Sequence, residues 1–248
     1  MTIAIGMMCK APRAGFSKTR LAAHVGAELA ARLSAAFLRD VGASLASACE
    51  ADGALVPYAL FCPADAEGEL RQHLPGSFHY MLMQEGDLGS TMLNAIGAIL
   101  ARGHEGAVLI GSDFPTLPPA ILIEAASRLR NADTDAVIGP SLDGGYYLIG
   151  MRAPHAALFQ GMTWSTSTVF RDTLERARAA ALVMGELPMW YDVDDAVSFA
   201  VLKDHLAGRA IPALGASMPP GPALETRLVL GDHRLVGLGS GVGAAIDP

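Results

Sequence analysis

Acidic side chains beside glycine-rich turns are the residues of this chain best suited to chemistry. Asp143 precedes the pair Gly144-Gly145 between two apolar runs, and Asp113 comes shortly after the apolar run 107–110. Adjacent glycines let a backbone turn sharply or approach a ligand closely, because no Cβ stands in the way. Two acids at the ends of two predicted strands indicate a site for a metal ion and a phosphorylated substrate.

A cationic loop precedes the first predicted helix of a chain whose net charge is −7. Its four cations are Lys10, Arg13, Lys18 and Arg20. A loop that leads into a helix N-terminus favours phosphate binding. Lys18 would add a point charge, and Arg20 would add a guanidinium group that can bind phosphate through two hydrogen bonds. A solvated basic loop is the alternative interpretation. Ser17 stands where a Walker A motif requires glycine, so this is not a P-loop.

Further acids lie at two other predicted helix starts, in segments 84–90 and 191–195. Asp87 or Ser90 either caps the following helix or holds the base or ribose of a nucleotide. At least one of Asp194 and Asp195 is expected to cap the last helix. Asp192 is then left over as a second metal ligand.

Trp164 lies in the hydroxyl-rich segment 163–168 and has two interpretations. It stacks on a sugar or acceptor ring, or it packs on the core while Ser165 or Thr166 caps the next helix. Signals for nucleophilic catalysis are weak, because no Gly-x-Ser-x-Gly elbow occurs and the seven histidines show no metal-ligand spacing.

Alternating strands and helices are predicted to position these segments. The strands are expected at 2–8, 55–62, 78–84, 107–111, 136–139, 146–151 and 182–187. The helices are expected at 18–48 with a break at 24–26, and at 64–74, 88–102, 118–130, 167–181 and 195–206. This order indicates βαβ units and a mainly parallel sheet, in which ligands bind beyond the carboxyl ends of the strands.

Composition limits the classes of function. With 248 residues, 51% of them hydrophobic, the chain can bury a sizeable core. The acidic balance argues against a nucleic-acid surface, and the longest stretch without a charged residue, 153–170, is too polar to span a membrane. Three widely spaced cysteines form no zinc pattern and fit a reducing compartment, so we expect a cytoplasmic protein.

The composition changes near residue 210. Prolines at 219, 220 and 222 interrupt regular structure, and residues 237–243 are rich in glycine. We therefore predict a domain at 1–208 and a Pro/Gly-rich extension of unknown function at 209–248. Parts of this extension, around 226–230 and 234–238, are expected to be ordered.

Six blocks taken together resemble a bacterial family of nucleotide-diphospho-sugar-transferase-like proteins. They occur in family order at 10–21, 86–89, 111–117, 139–150, 164–169 and 192–194. Some family members are linked to arsenosugar synthesis, and the family is similar to phospholactate guanylyltransferases and molybdopterin nucleotidyltransferases. One block departs from the pattern, because Ser90-Thr91-Met92 stands where relatives have Glu-Arg-Met. If that arginine touches phosphate, phosphate binding here is differently supported.

The resemblance implies an α/β protein with a three-layer α/β/α GT-A fold, Rossmann-like, built on a mainly parallel sheet. It also implies a divalent metal, Mg²⁺ or Mn²⁺. Asp113 matches the metal-binding acid, and Asp192 and Asp194 match the terminal acids of the family. The residues expected at the nucleotide and its phosphates are Lys10, Gly15, Lys18, Arg20, Gly86, Asp87 and Gly89.

The function expected from this resemblance is metal-dependent glycosyl transfer from a nucleotide-diphospho-sugar donor to a small-molecule acceptor. Asp113, Asp143 and Lys18 are the expected catalytic residues. The expected acceptor pocket consists of Gly144, Gly145, Tyr146, Trp164 and Ser165. The alternative is a nucleotidyltransferase that moves NMP from an NTP to a phosphorylated small molecule and releases pyrophosphate. A third hypothesis is a non-catalytic nucleotide-sugar sensor; the oligomeric state stays open.

Overall fold

The computed structural model describes residues 1–215 and 218–231, which form one twisted sheet with helices on both faces. The strands are β1 Ile3–Cys9, β2 Leu55–Phe61, β3 His79–Leu82, β4 Gly106–Gly111, β5 Ala136–Pro140, β6 Tyr146–Met151 and β7 Met184–Glu186. The helices are α1 Thr19–Val25, α2 Ala27–Ala51, α3 Glu67–Leu70, α4 Leu88–Leu100, α5 Pro119–Arg130, α6 Val169–Ala179, α7 Ala196–Leu206 and α8 Leu224–Val229.

The sheet is mainly parallel, as predicted. Its seven strands have the order β3-β2-β1-β4-β6-β5-β7. Strand β6 alone runs against its neighbours, β4 and β5, whereas the other four pairings are parallel. The carboxyl ends of β1, β4 and β5 and the beginning of β6 therefore meet at one edge, where the loops with predicted site residues emerge.

Two hydrophobic layers cover the two faces of the sheet. In β1, Ile3 and Ile5 face one layer, which is completed by α2 and α5, while Ala4 faces the other, which is completed by α4. Strand β4 alternates in the same way, with Val108 and Leu109 on opposite faces. Burial of both faces explains the uninterrupted apolar character of these strands. The three-layer α/β/α prediction is confirmed.

Local sequence signals account for most element boundaries. The predicted break in the first helix is confirmed, because Gly26 has φ 86° and separates α1 from α2. The predicted helix at 64–74 is wrong in its second half: a 3-10 turn, Ala64–Ala66, leads into the single turn of α3. Gly68 weakens that helix, and Leu74 is disfavoured in helical conformation because Pro75 follows it.

The described part of the C-terminal extension packs on the sheet domain through α8 and α2. Asp40 of α2 accepts hydrogen bonds from the backbone N–H groups of Glu225 and Thr226, at 3.0 and 2.9 Å, and from the Thr226 hydroxyl at 2.6 Å. Asp40 thus caps the start of α8 from another helix. The glycine-rich segment 237–243 and the predicted order at 234–238 lie outside the described residues.

Among the helices of the described ranges, none has the length and apolar character needed to cross a membrane.

Candidate functional site

The loop between β1 and α1 is held in a defined shape by Arg13. Its carbonyl oxygen accepts hydrogen bonds from the N–H groups of Phe16 and Ser17, at 3.1 and 3.0 Å. Its guanidinium pairs with Glu69 of α3 at 2.9 Å and with Asp65 at 3.3 Å. The loop that carries the predicted phosphate-binding cations is therefore tied to the neighbouring segment 64–70.

Lys18 is the centre of an ion-pair cluster at the carboxyl ends of the strands. Its side chain is only 4% exposed, and its Nζ lies 2.8 Å from Oδ1 of Asp113 and 2.6 Å from Oδ1 of Asp194. Arg20 reaches the other oxygen of Asp194 at 2.7 Å. Burial lowers the pKa of Lys18, but the two carboxylates outweigh that effect and the pKa is raised. Lys18 is therefore a buried, fully charged cation.

A backbone hydrogen bond brings the terminal acids beside Asp113. The Val193 N–H donates to the Asp113 carbonyl oxygen at 3.0 Å, so Asp192 and Asp194 flank the end of β4. The pKa of Asp192 is raised to about 6, mainly by burial and in addition by the charges of Asp194 and Asp143. These acids are therefore close enough to repel one another.

The pKa of Asp194 moves in the opposite direction. Burial raises it, but Lys18 and Arg20 outweigh that effect, so the net shift is downward. The next acid, Asp195, caps α7 by accepting a hydrogen bond from the Ser198 N–H at 2.9 Å. The prediction that one of the two acids caps the last helix is confirmed, and it is Asp195.

Three neighbouring cavities open on this cluster, and the smallest, of about 220 Å³, is lined by Arg20, Asp194 and Asp195, among others. The loop cavity, of about 330 Å³, is lined by residues of the cationic loop, including Lys10, Phe16, Ser17 and Lys18. The tyrosine cavity, of about 530 Å³, is lined by Asp143, Gly145, Tyr146, Trp164, Ser165 and Asp192, among others. Both the loop cavity and the tyrosine cavity are lined by Arg20, Asp113 and Asp194. The structure thus separates a cationic compartment from a polar and aromatic one.

The turn Asp143-Gly144-Gly145 forms part of the wall of the tyrosine cavity, which Asp143 lines. Oδ1 of Asp143 accepts a hydrogen bond from the Gly145 N–H at 2.9 Å. Gly144 has φ 88°, and its carbonyl oxygen accepts a hydrogen bond from the Phe170 N–H at 2.9 Å. Gly144 therefore supports the cavity wall from behind, whereas Asp143 and Gly145 line it.

Tyr146 and Trp164 form an aromatic corner of the tyrosine cavity. Their rings are perpendicular, with centroids 6.4 Å apart. A Cβ on Gly89 would lie 3.0 Å from both the Phe159 carbonyl oxygen and the Trp164 ring, so this glycine lets Trp164 pack closely on α4. Trp164 packs on a core element and also faces a cavity, so its stacking on a ring stays a prediction. The predicted cap by Ser165 or Thr166 is wrong, because Thr168 occupies the N-cap position of α6 and no side chain caps this helix.

The Gly86–Gly89 block contributes Leu88 to the wall of the tyrosine cavity. Asp87 caps α4: its Oδ1 accepts a hydrogen bond from the Ser90 N–H at 3.0 Å and its Oδ2 accepts one from the Ser90 hydroxyl at 2.6 Å. In the described part of the chain, Gly86, Asp87 and Gly89 do not line the loop cavity or the tyrosine cavity. Gly15, which has φ 78° in the loop, lines neither of these cavities. A direct contact of these four residues with nucleotide stays a prediction.

The donor set for a divalent cation is incomplete in the protein alone. Within residues 1–215 and 218–231, no three Asp, Glu, His or Cys side chains are grouped to hold a metal ion. Both oxygens of Asp194 already contact cations, which disfavours it as a ligand. Asp113 and Asp192 fit Mg²⁺ or Mn²⁺ better, because Mg²⁺ is commonly held by one or two carboxylates together with substrate phosphates and water.

Two residues of the site were missed by sequence reasoning. Ser141 donates a hydrogen bond from its hydroxyl to Oδ1 of Asp192 at 3.3 Å. Phe16 lines the loop cavity with 83% of its surface exposed. The position of Phe16 among the cations of the loop could have indicated a role in the site. The partner of Ser141 lies 51 positions away, so no local pattern indicates that contact.

Comparison with known proteins gives one family and several structures. Residues 45–166 match a family described as an uncharacterized protein conserved in bacteria, DUF2064. No curated protein matches the chain. A structure from Desulfovibrio desulfuricans G20, described as a candidate nucleotide-diphospho-sugar transferase, is 30% identical. That likeness covers 94% of this chain and 96% of that one, with a TM-score of 0.77.

More distant structures share the fold. A CMP:2-keto-3-deoxy-manno-octonic acid synthetase complexed with CTP is 8% identical, with a TM-score of 0.52 over 84% of this chain and 99% of that one. A 4-diphosphocytidyl-2C-methyl-D-erythritol synthase from Anaerococcus prevotii DSM 20548 is also 8% identical, with a TM-score of 0.52 over 83% and 96%. At this identity the likeness is one of fold.

Proposed function

We propose that this chain, which belongs to the nucleotide-diphospho-sugar-transferase-like family of the Desulfovibrio desulfuricans G20 protein, is a metal-dependent glycosyltransferase with a nucleotide-diphospho-sugar donor. The observation that carries the proposal is the Lys18 cluster. Lys18 contacts Asp113 and Asp194 at the boundary between the cationic loop cavity and the tyrosine cavity. Such an arrangement suits a two-substrate transfer, because it can hold the donor phosphates on one side close to the acceptor on the other.

The donor diphosphate is assigned to the loop cavity. Lys10, Lys18 and Arg20 line it, and they supply the positive charge that phosphate oxygens require. During transfer, negative charge builds on the departing nucleoside diphosphate. Lys18 and Arg20 are already fixed by their ion pairs, so they would stabilise that charge with little rearrangement.

Asp113 and Asp192 are the residues assigned to a divalent cation. The tyrosine cavity is lined by Asp113, Asp143, Asp192 and Asp194, and among the described residues only Lys18 and Arg20 form ion pairs with these acids. This excess of negative charge supports binding of Mg²⁺ or Mn²⁺ there. Such an ion supplies Lewis-acid stabilisation of the diphosphate when bound.

The acceptor is assigned to the tyrosine cavity. Asp143 lines it beside Gly145, so its carboxylate would orient an acceptor hydroxyl or take its proton. Tyr146 and Trp164 offer aromatic surface for the apolar face of a ring, and Ser165 offers a hydroxyl. These residues fit a small polar acceptor with one ring-like face.

The alternative reaction is nucleotidyl transfer from an NTP to a phosphorylated acceptor. The same acids and cations serve it, because both reactions stabilise charge on a diphosphate group. The distant nucleotidyltransferases share only the fold, so the closer and nearly full-length likeness to a candidate sugar-nucleotide enzyme favours glycosyl transfer.

The test is a ligand panel with Mn²⁺, in which melting temperature and released product are measured. UDP, GDP, CDP and dTDP sugars are compared with the four NTPs. A ligand at a hundred times its dissociation constant adds about 2.7 kcal/mol of stability, which is easily seen. Stabilisation by one sugar nucleotide with release of its nucleoside diphosphate supports the proposal. Stabilisation by an NTP alone, with release of pyrophosphate, replaces it by nucleotidyl transfer.

The Asp113→Asn variant tests the metal assignment in the same panel. It should keep its melting temperature within a few degrees but lose the Mn²⁺-dependent part of ligand stabilisation. Asp133→Asn, at an exposed position outside both cavities, is the matched control and should behave like wild type. If Asp113→Asn retained metal-dependent binding and turnover, the metal assignment would be wrong.

A further inference from the structure

Phe16 is an exposed aromatic side chain in the wall of the loop cavity. Its exposure of 83% is the largest among the bulky apolar side chains in the described residues. Most exposed apolar residues need no explanation, but this one stands among cations in a cavity. Lys10 and Lys18 line the same cavity. A flat apolar surface is thus placed beside a site suited to phosphate.

The turn that carries Phe16 is fixed before any ligand arrives. The Phe16 N–H donates to the Arg13 carbonyl oxygen at 3.1 Å, and the Ser17 hydroxyl donates to the same oxygen at 3.1 Å. Arg13 is held in turn by its ion pairs with Asp65 and Glu69. A preformed turn lowers the entropy cost of using an exposed side chain in binding.

Phe16 is also the sole aromatic residue among the described residues that line the loop cavity. The phosphates of a nucleotide need the cations there, whereas its planar base needs an apolar face. Stacking on an aromatic ring meets that need for any base, because every base has a π-face. The aromatic residues Phe114, Tyr146, Tyr147 and Trp164 line the tyrosine cavity instead.

We propose that Phe16 stacks on the nucleobase of the bound nucleotide while Lys10, Lys18 and Arg20 hold its phosphates. This assignment rests on the proposed function, because it requires a nucleotide in the loop cavity. It predicts that any nucleobase adds to the affinity and that the protein discriminates only modestly between bases, because stacking uses the face of the base and not its hydrogen-bonding edge.

The experiment compares ligands with and without a base. Dissociation constants for UDP, GDP, CDP and ADP and for inorganic pyrophosphate, all with Mn²⁺, are measured on wild type, Phe16→Ala and Phe16→Trp. Phe16→Ala should weaken the tightest nucleoside diphosphate about 10-fold and leave pyrophosphate within about twofold. Phe16→Trp should keep the affinity, and its added fluorescence should respond to the nucleoside diphosphate but not to pyrophosphate. Val183→Ala, at another exposed apolar side chain outside both cavities, should match wild type.

Each of the following three results would contradict stacking of Phe16 on the base. If wild type binds a nucleoside diphosphate and Phe16→Ala binds it equally well, stacking is wrong while the proposed function stands. If Phe16→Ala weakens pyrophosphate as much as the nucleotide, Phe16 shapes the loop and does not contact the base. If wild type binds pyrophosphate but no nucleotide, sugar nucleotide or NTP, both the stacking and the proposed function fail.

Discussion

A Cβ on Gly144 would lie 2.1 Å from the carbonyl oxygen of Ser167. This close approach joins the turn after β5 to the segment that leads into α6, and the Phe170 N–H to Gly144 carbonyl bond at 2.9 Å reinforces it. One glycine therefore holds together two walls of the tyrosine cavity, the one with Asp143 and the one with Ser165.

Gly144→Ala should destabilise the protein by about 3 kcal/mol or more, because it adds a backbone clash to the strain of positive φ. Gly103→Ala is the matched control: Gly103 has φ 91° but open space around its Cβ position. It should cost about 1 kcal/mol. Urea unfolding of both variants measures the difference. Equal costs would mean that the Ser167 segment yields to the methyl group.

Gly89→Ala should displace Trp164 from α4, because the new methyl group would press on the indole and on the Phe159 carbonyl oxygen. The expected results are altered Trp fluorescence and a loss of about 1–3 kcal/mol, as for overpacking. Gly97→Ala in the same helix meets open space and should instead stabilise by about 0.5–1 kcal/mol. Unchanged fluorescence in Gly89→Ala would show that Trp164 does not depend on this contact.

Lys18→Ala should leave Asp113 facing Asp194 without the cation between them. We expect a loss of about 1–3 kcal/mol at pH 7, since both carboxylates are partly solvated and Arg20 still pairs with Asp194. Affinity for a nucleoside diphosphate should fall about 10-fold or more. Lys203→Ala, at an α7 position outside both cavities, is the control. Calorimetric titration gives the affinities, and equal nucleotide affinity in the two variants would contradict the phosphate assignment.

Asp40→Ala should remove three hydrogen bonds at the start of α8 and destabilise the protein by about 2–3 kcal/mol. Asp133→Ala, at an exposed site, should change stability by less than about 0.5 kcal/mol. Denaturant unfolding gives both values. Limited proteolysis should also cut Asp40→Ala faster within 218–231; an unchanged cleavage pattern would show that α8 is held by other contacts.

The Arg130–Asp52 ion pair should make stability depend on acid pH. The Arg130 guanidinium holds the pKa of Asp52 below its usual range, with contacts at 2.6 and 3.2 Å. A lowered folded-state pKa means that the pair stabilises above about pH 4, and this stabilisation is lost as the pH falls through the folded-state pKa. Arg130→Ala should cost about 1 kcal/mol at pH 7 and less near pH 3.

Unfolding of wild type and Arg130→Ala across pH 3 to 7 measures that dependence. Arg128→Ala on the same helix removes an exposed pair with Glu124 and should cost at most about 0.5 kcal/mol. A constant difference between wild type and Arg130→Ala at every pH would show that Arg130 acts through packing and not through the charge of Asp52.

The sequence predicts the parts of this protein that depend on local patterns. The doubly buried strands, the break at Gly26 and a cap by Asp194 or Asp195 follow from neighbouring residues, and all are confirmed, with Asp195 as the cap. The contact between Lys18 and Asp194 spans 176 positions, and the one between Asp40 and Thr226 spans 186. Such pairings depend on how the sheet folds back on itself, so no local pattern could have indicated them.

The shared wall of the loop and tyrosine cavities would couple the binding of the proposed donor and acceptor thermodynamically. Arg20, Asp113 and Asp194 line both compartments, so a charge bound on one side changes the field on the other. If binding of the first ligand changes the affinity for the second by some factor, binding of the second changes the affinity for the first by the same factor. An anionic donor held by the cations would leave less positive charge for an anionic acceptor. An uncharged acceptor would therefore bind almost independently of the donor, and an anionic one would not.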